Sequence, residues 1–195
     1  MNVIERIDEA RAHWNVLEHP FYASWERGEL TREALSFYAG EYRQAVVALA
    51  DAAAAAGDLA HAAEEAAHVA LWDAFATELD APLDREPTPE TAVCAESWRA
   101  TDALDARAVL YAVESAQPEI SRTKLSGLVE HYGFAPGSKG TEYFELHAER
   151  DAEHAAASAA VLREAPADTE DRLVGAATAA LEGNWKLLDG VMSRI

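Results

Sequence analysis

The sequence is poor in the residues that cross-link, interrupt or counter-charge a chain. It has one cysteine, Cys94, which excludes a disulfide framework and any cysteine-built zinc site. Only three lysines occur, Lys124, Lys139 and Lys186, and Lys plus Arg number 16 against 35 Asp plus Glu. The formal net charge of −19 repels phosphate backbones and anionic lipid, so neither nucleic acid nor a membrane is expected as a partner. No apolar run is long enough to cross a bilayer. The opening MNVIERIDEARAHW is charged and amphipathic, without the apolar stretch of a secretion signal. A cytoplasmic location is expected. Glycine and proline are sparse, and no segment alternates with period two for long enough to make a strand.

What remains is helix-forming sequence with apolar residues at three- and four-residue spacing. The pattern predicts helices over 3–17, briefly around 21–25, from a Thr31 cap to about 56, and from an Asp58 cap to 79. APLDREPTPE is the clearest loop. Further helices are expected over 90–100, over 103–132 with a bend or break at Pro118, over 141–163, and from 169 to the end. The expected architecture is all-α, a single domain over residues 1–195 with seven or eight helices.

Two patterns on these helices carry chemistry. His147, Asp151 and His154 in FELHAERDAEH stand at i, i+4 and i+7, on one helix face. Glu65 and His68 in HAAEEAAHVALW form a Glu-x-x-His pair, with His61 and Trp72 on the same stripe. Glu114 in LYAVESAQPEI reads as mid-helix among apolar neighbours, where a carboxylate is costly unless something neutralises it. Each pattern alone also fits a solvated surface or a hydrogen-bonded core histidine. Together they supply three imidazoles and three carboxylates, the donor set of dinuclear carboxylate sites in helical bundles. Without cations, clustered carboxylates repel and at least one takes a proton.

NVLEHPFYASWERGELTREALSFYAGEYR, EEAAHVALW, ES-x2-P-x5-K and YFELHAERDAEH resemble, in order, the family of the chlamydial protein associating with death domains and its bacterial relatives. That family belongs to the heme-oxygenase-like group, with thiaminase-II (TenA) and pyrroloquinoline-quinone synthase. The resemblance implies a heme-oxygenase-like fold holding two transition-metal ions, Fe/Fe or Mn/Fe, with dioxygen and an external reductant as co-substrates and no heme. The family's ligands fall on His68, Glu114, His147, Asp151 and His154. The sixth falls on Glu65, with Glu64 or His61 as alternatives, because the stretch before His68 is shorter than in the chlamydial protein.

Tyr22 matches the tyrosine that these proteins consume, Lys124 the lysine linked to amino-group transfer, and Tyr38 and Tyr143 further tyrosines near the site. Taken without the resemblance, Tyr22 and Tyr38 read as ordinary core tyrosines and Lys124 as a solvated helix lysine. Val113 departs from the chlamydial protein, which has tyrosine there. The activity implied is metal- and oxygen-dependent formation of p-aminobenzoate for folate synthesis, consuming Tyr22, with Lys124 as donor or relay of the amino group. A homodimer is the family expectation. The alternatives are a dinuclear oxidase acting on an external amino-acid or fatty-acid substrate, and a non-enzymatic binding or regulatory protein.

Overall fold

Side chains just outside the helices set most of their starts. In the computed structural model, which describes residues 1–195, Asn2 and Glu5 form a reciprocal capping box that opens α1 (Val3–His13). Helix α1 stops four residues earlier than the periodicity predicts. Asn15 turns its side chain onto the backbone N–H of Leu17 and starts a separate 3₁₀ turn over Val16–Glu18. His19 then caps α2 (Pro20–Glu26): its Nδ1 accepts from the Phe21 N–H at 3.0 Å. Thr31, Asp58, Thr88 and Asp102 cap α3 (Arg32–Ala55), α4 (Leu59–Glu78), α5 (Pro89–Trp98) and α6 (Ala103–Glu114) in the same way.

The segment expected as one bent helix over 103–132 is two helices. Helix α6 ends at Glu114 and α7 (Gln117–His131) begins three residues later. Pro118 has no N–H to offer the Glu114 carbonyl four residues back, and its ring crowds that carbonyl. Glu114 is thus the last residue of α6, not mid-helix. The chain continues through α8 (Glu142–Arg163), a 3₁₀ turn over Ala167–Thr169, and α9 (Glu170–Met192). The architecture is all-α, and no helix is long and apolar enough to cross a membrane.

Helix α3 packs against α4, α5, α6 and α9, while α8 packs against α4, α6 and α7. The helices bearing the Glu-x-x-His pair, Glu114 and the His-x3-Asp-x2-His stripe therefore meet along α8. Three buried indoles tie helices together. Trp25 donates to the Lys124 carbonyl (α2 to α7, 3.1 Å), Trp72 to the Ala39 carbonyl (α4 to α3, 2.8 Å) and Trp98 to the Ala180 carbonyl (α5 to α9, 3.0 Å). Gly127 lets α7 come this close to α2: a Cβ there would lie 2.6 Å from the Trp25 ring.

Candidate metal centre

Glu65 is the centre of the cluster. Its Oε1 lies 3.0 Å from His68 Nδ1, 3.7 Å from His61 Nε2 and 3.9 Å from His154 Nδ1. His61 Nε2 also approaches Glu114 Oε1 to 2.8 Å. The donor atoms form two groups that share Glu65: His61, Glu65, Glu114 and His154, and Glu65, His68 and His147, each with its atoms within 4.8 Å of one another. Asp151 falls in neither group, yet it is 1% exposed and both its carboxylate oxygens lack a hydrogen-bond partner.

The three separated stretches named from the sequence are thus brought into one cluster. The division differs from the sequence order. Glu114 groups with His61 and His154, and His147 groups with His68: His147 and His154 stand two turns apart on α8, as His68 and His61 do on α4. The cluster takes in His61 beside Glu65, where sequence alone left them as alternatives; a register of i, i+4 and i+7 along α4 puts His61, Glu65 and His68 on one face. Glu64 lies outside, half-exposed, and touches only the outer edge of His154 at 3.2 Å.

The polar atoms fit a cation better than they fit each other. His61 Nε2, His68 Nδ1, His154 Nδ1 and Glu114 Oε1 are buried and close to partners, yet none is aligned for a hydrogen bond, and the buried Glu114 Oε2 has no partner. His147 is the clearest case. Its Nδ1–H donates to the Tyr143 carbonyl at 2.6 Å, which leaves a lone pair on Nε2, and that buried Nε2 has no partner. This arrangement fixes the tautomer of a metal-ligating imidazole. Burial, with the neighbouring His68 charge, pushes the His147 pKa down to about 4, so the ring stays neutral at ordinary pH.

The carboxylates behave as the cluster requires. Burial, then the charges of Glu114 and Glu65, pushes Asp151 up to about 9. Burial also raises Glu114, to about 7, against the opposing pull of His61. Glu65 goes the other way: burial would raise it, but the imidazoles of His61 and His68 hold it well below the carboxylate range. Burial works against His61 too, yet Glu114 and Glu65 bring it up to about 10. In the bare protein some protons thus occupy the places that divalent cations would take.

Beside the cluster lies an aromatic cage. The Tyr143 ring stacks on His147 at 3.9 Å and meets Trp72 edge-on at 4.9 Å. Trp72 in turn contacts Tyr38 and Tyr42. Lys124 is 1% exposed, and its Nζ lies 4.5 Å from the Tyr42 ring centre, 5.3 Å from Tyr38 and 5.4 Å from Tyr22. It is not the solvated lysine that a helix position alone suggests. Burial with no carboxylate beside it pushes its amine down to about 7. Burial likewise raises the Tyr22 phenol, offset in part by the Tyr38 hydroxyl. Val113 belongs to the same large core as these rings, while Tyr111 belongs to a second core and donates to Asp8 at 2.8 Å.

A helical bundle with a buried histidine–carboxylate cluster defines the class. The chain superposes on a heme-oxygenase-like domain from Shewanella denitrificans (TM-score 0.78, 18% identity, 99% of this chain and 93% of that one). It also superposes on a TenA homologue from P. horikoshii (TM-score 0.76, 15% identity, 99% of each chain). These likenesses establish a heme-oxygenase-like fold. The model of the iron-containing redox enzyme family matches residues 26–186, and the chain belongs to that family. Among its relatives, a 4-aminobenzoate synthase of Nitrosomonas europaea is 31% identical over 96% of this chain and 89% of the relative. A 4-aminobenzoate synthase of Chlamydia muridarum is 27% identical over 98% of this chain and 91% of the relative.

Proposed function

We propose that this chain forms 4-aminobenzoate in an oxygen-dependent reaction whose aromatic ring comes from its own Tyr22. The observation that carries this reading is the burial of Lys124 and Tyr22 in one cage, with an amine held near neutrality 5.4 Å from the phenol ring. His61, Glu65, His68, Glu114, His147 and His154, with Asp151 beside them, are the residues that would hold two ions. Iron, or manganese with iron, would there supply oxidation by dioxygen with electrons from an external reductant.

The chemistry of the product assigns the roles. 4-Aminobenzoate carries one carbon para to its nitrogen, as tyrosine carries Cβ para to its hydroxyl. Dioxygen is the oxidant that turns Cβ of Tyr22 into the carboxyl carbon as the Cα–Cβ bond breaks. Lys124 Nζ is the nucleophile or relay for the nitrogen: as donor it condenses with the oxidised ring carbon, the phenol oxygen leaves as water, and hydrolysis then breaks the Nζ–Cε bond, reducing the ring to the aniline and leaving Cε as an aldehyde. With its pKa near 7 a large fraction is the free amine at neutral pH, whereas an ordinary lysine would be almost wholly protonated. Tyr38, whose hydroxyl lies by the Tyr22 phenol, is the neighbour placed to orient it. Tyr143 orients His147 by stacking and by its carbonyl. Tyr22, Tyr38 and Tyr143 are 2% exposed or less, so bulk water is kept from the reacting ring.

Oxygen admitted to reduced, metal-loaded protein is expected to release 4-aminobenzoate and to leave protein lighter at position 22 by intact mass. Product from Tyr22→Phe would reject the internal source. One observation favours a second reading, an oxidase of an external amino acid or fatty acid: Val113 lines a cavity of about 240 Å³ in place of a bulky tyrosine. Tyr22 surviving turnover intact, with oxygen consumed only when a small molecule is added, would favour that reading.

A further inference from the structure

That cavity has a chemistry of its own. It lies between α1, the α6–α7 junction and α9. Its volume of about 240 Å³ equals roughly eight waters at about 30 Å³ each, enough for a small ring-bearing molecule. Val113, Ile120 and Leu181 give it an apolar body.

Its polar walls are unsatisfied in both senses. Gln117, 2% exposed, and Asn184, 8% exposed, each carry a side-chain carbonyl oxygen with no donor. Arg11 donates through one terminal nitrogen to Asp8 at 3.0 Å, but its Nε is buried without an acceptor. Asp8 is already engaged by Tyr111 and Arg11. Helix α7 also opens on the cavity at Ala116 and Gln117 without any side-chain cap, so its positive end adds N–H donors to that of Arg11. The third charged neighbour, Glu119, brings the side-chain charge of the walls to −1, which disfavours a simple anion. Buried polar groups left this way are costly, and a ligand that carries both a donor and an acceptor would satisfy them.

We infer that this cavity binds an amino carboxylate with an apolar body, its carboxylate at Arg11 and the start of α7, its amine at Asn184 and Gln117. Two sources share that chemistry: an aromatic α-amino acid and 4-aminobenzoate itself. The second source rests on the proposed function; the first does not. Gln117 stands beside the Tyr42 hydroxyl, and Tyr42 is the ring nearest Lys124, so an occupant would sit against the back of the lysine cage.

Calorimetric titration of the full chain under anaerobic conditions, where no turnover occurs, tests this with L-phenylalanine, 4-aminobenzoate, phenylacetate, benzoate, aniline and phenethylamine. At least one of the first two is expected to bind saturably, and its analogue lacking the amine or the carboxylate about tenfold or more weakly. Arg11→Gln is expected to weaken binding about tenfold and Ala116→Phe, which fills the cavity, to abolish it. Circular dichroism checks that both variants fold. Binding by phenylalanine alone selects the α-amino-acid source, and binding by 4-aminobenzoate alone selects the product. No saturable binding of either, or wild-type affinity in Ala116→Phe, overturns the inference. Binding that persists where Tyr22 gives no product leaves this site standing and rejects only the reaction.

Discussion

Lys124 shows how much one burial changes a residue. An ammonium in an aromatic cage gains cation–π attraction but loses its hydration, and desolvation wins because no carboxylate is paired with it. Its pKa falls from the ordinary lysine value to about 7, so between about 7 and 10 the unfolded chain binds a proton that the folded chain does not. Stability from this group therefore rises with pH across that window and is lost as pH falls toward 7. Lys124→Met is expected to flatten that rise in thermal melts between pH 7 and 9.5, and to abolish 4-aminobenzoate formation while leaving metal content unchanged. Retained product in Lys124→Met would move the amino source elsewhere. The sequence carried one hint, the scarcity of lysine; it carried no sign of the cage, because Tyr22, Tyr38, Tyr42 and Trp72 come from three different helices.

Helices decide the rest by where they stop and how closely they approach. Had α6 run on past Glu114, the carboxylate would have sat in a continuous helical register; Pro118 ends it there and turns α7 aside. Periodicity cannot see this, because both helices keep an apolar stripe and Pro118 fits the first turn of the second as well as the bend of a single one. Helix α2, seven residues long and carrying Tyr22, depends on two props. One is the His19 cap. His19→Ala is expected to cost about 1 kcal/mol in urea denaturation. The other is the close approach of α7 at Gly127. Gly127→Ala, driven 2.6 Å from the Trp25 ring, is expected to cost about 1–3 kcal/mol and to change tryptophan fluorescence as the indole leaves the Lys124 carbonyl.

At the scale of the whole molecule, seven ionisable side chains converge in the interior of a chain that already carries a net charge of −19. Divalent cations would relieve both burdens, so metal loading is expected to raise the melting temperature and a chelator to lower it. Metal analysis should find two ions per chain. In the metal-free protein Asp151 contributes with a definite sign: its pKa is raised to about 9, so it favours folding while protonated and loses that contribution as pH rises from about 4 through 9. Asp151→Asn is expected to stabilise the metal-free protein at pH 8 and to lower its metal content. A variant destabilised at pH 8 with full metal content would remove Asp151 from the centre.

Period and spacing by themselves determined the all-helical architecture and the faces on which His147, Asp151, His154, Glu65 and His68 lie, because a 3.6-residue turn aligns those side chains whatever surrounds them. The same register offered His61 without saying whether it would be used. Only the tertiary structure decided that His61 joins Glu114, that His147 pairs with His68, that Glu64 stays at the edge, and that Lys124 is buried beside Tyr22. Those outcomes depend on how helices distant in sequence cross, and on desolvation and Coulomb terms that exist only once water has been excluded between them.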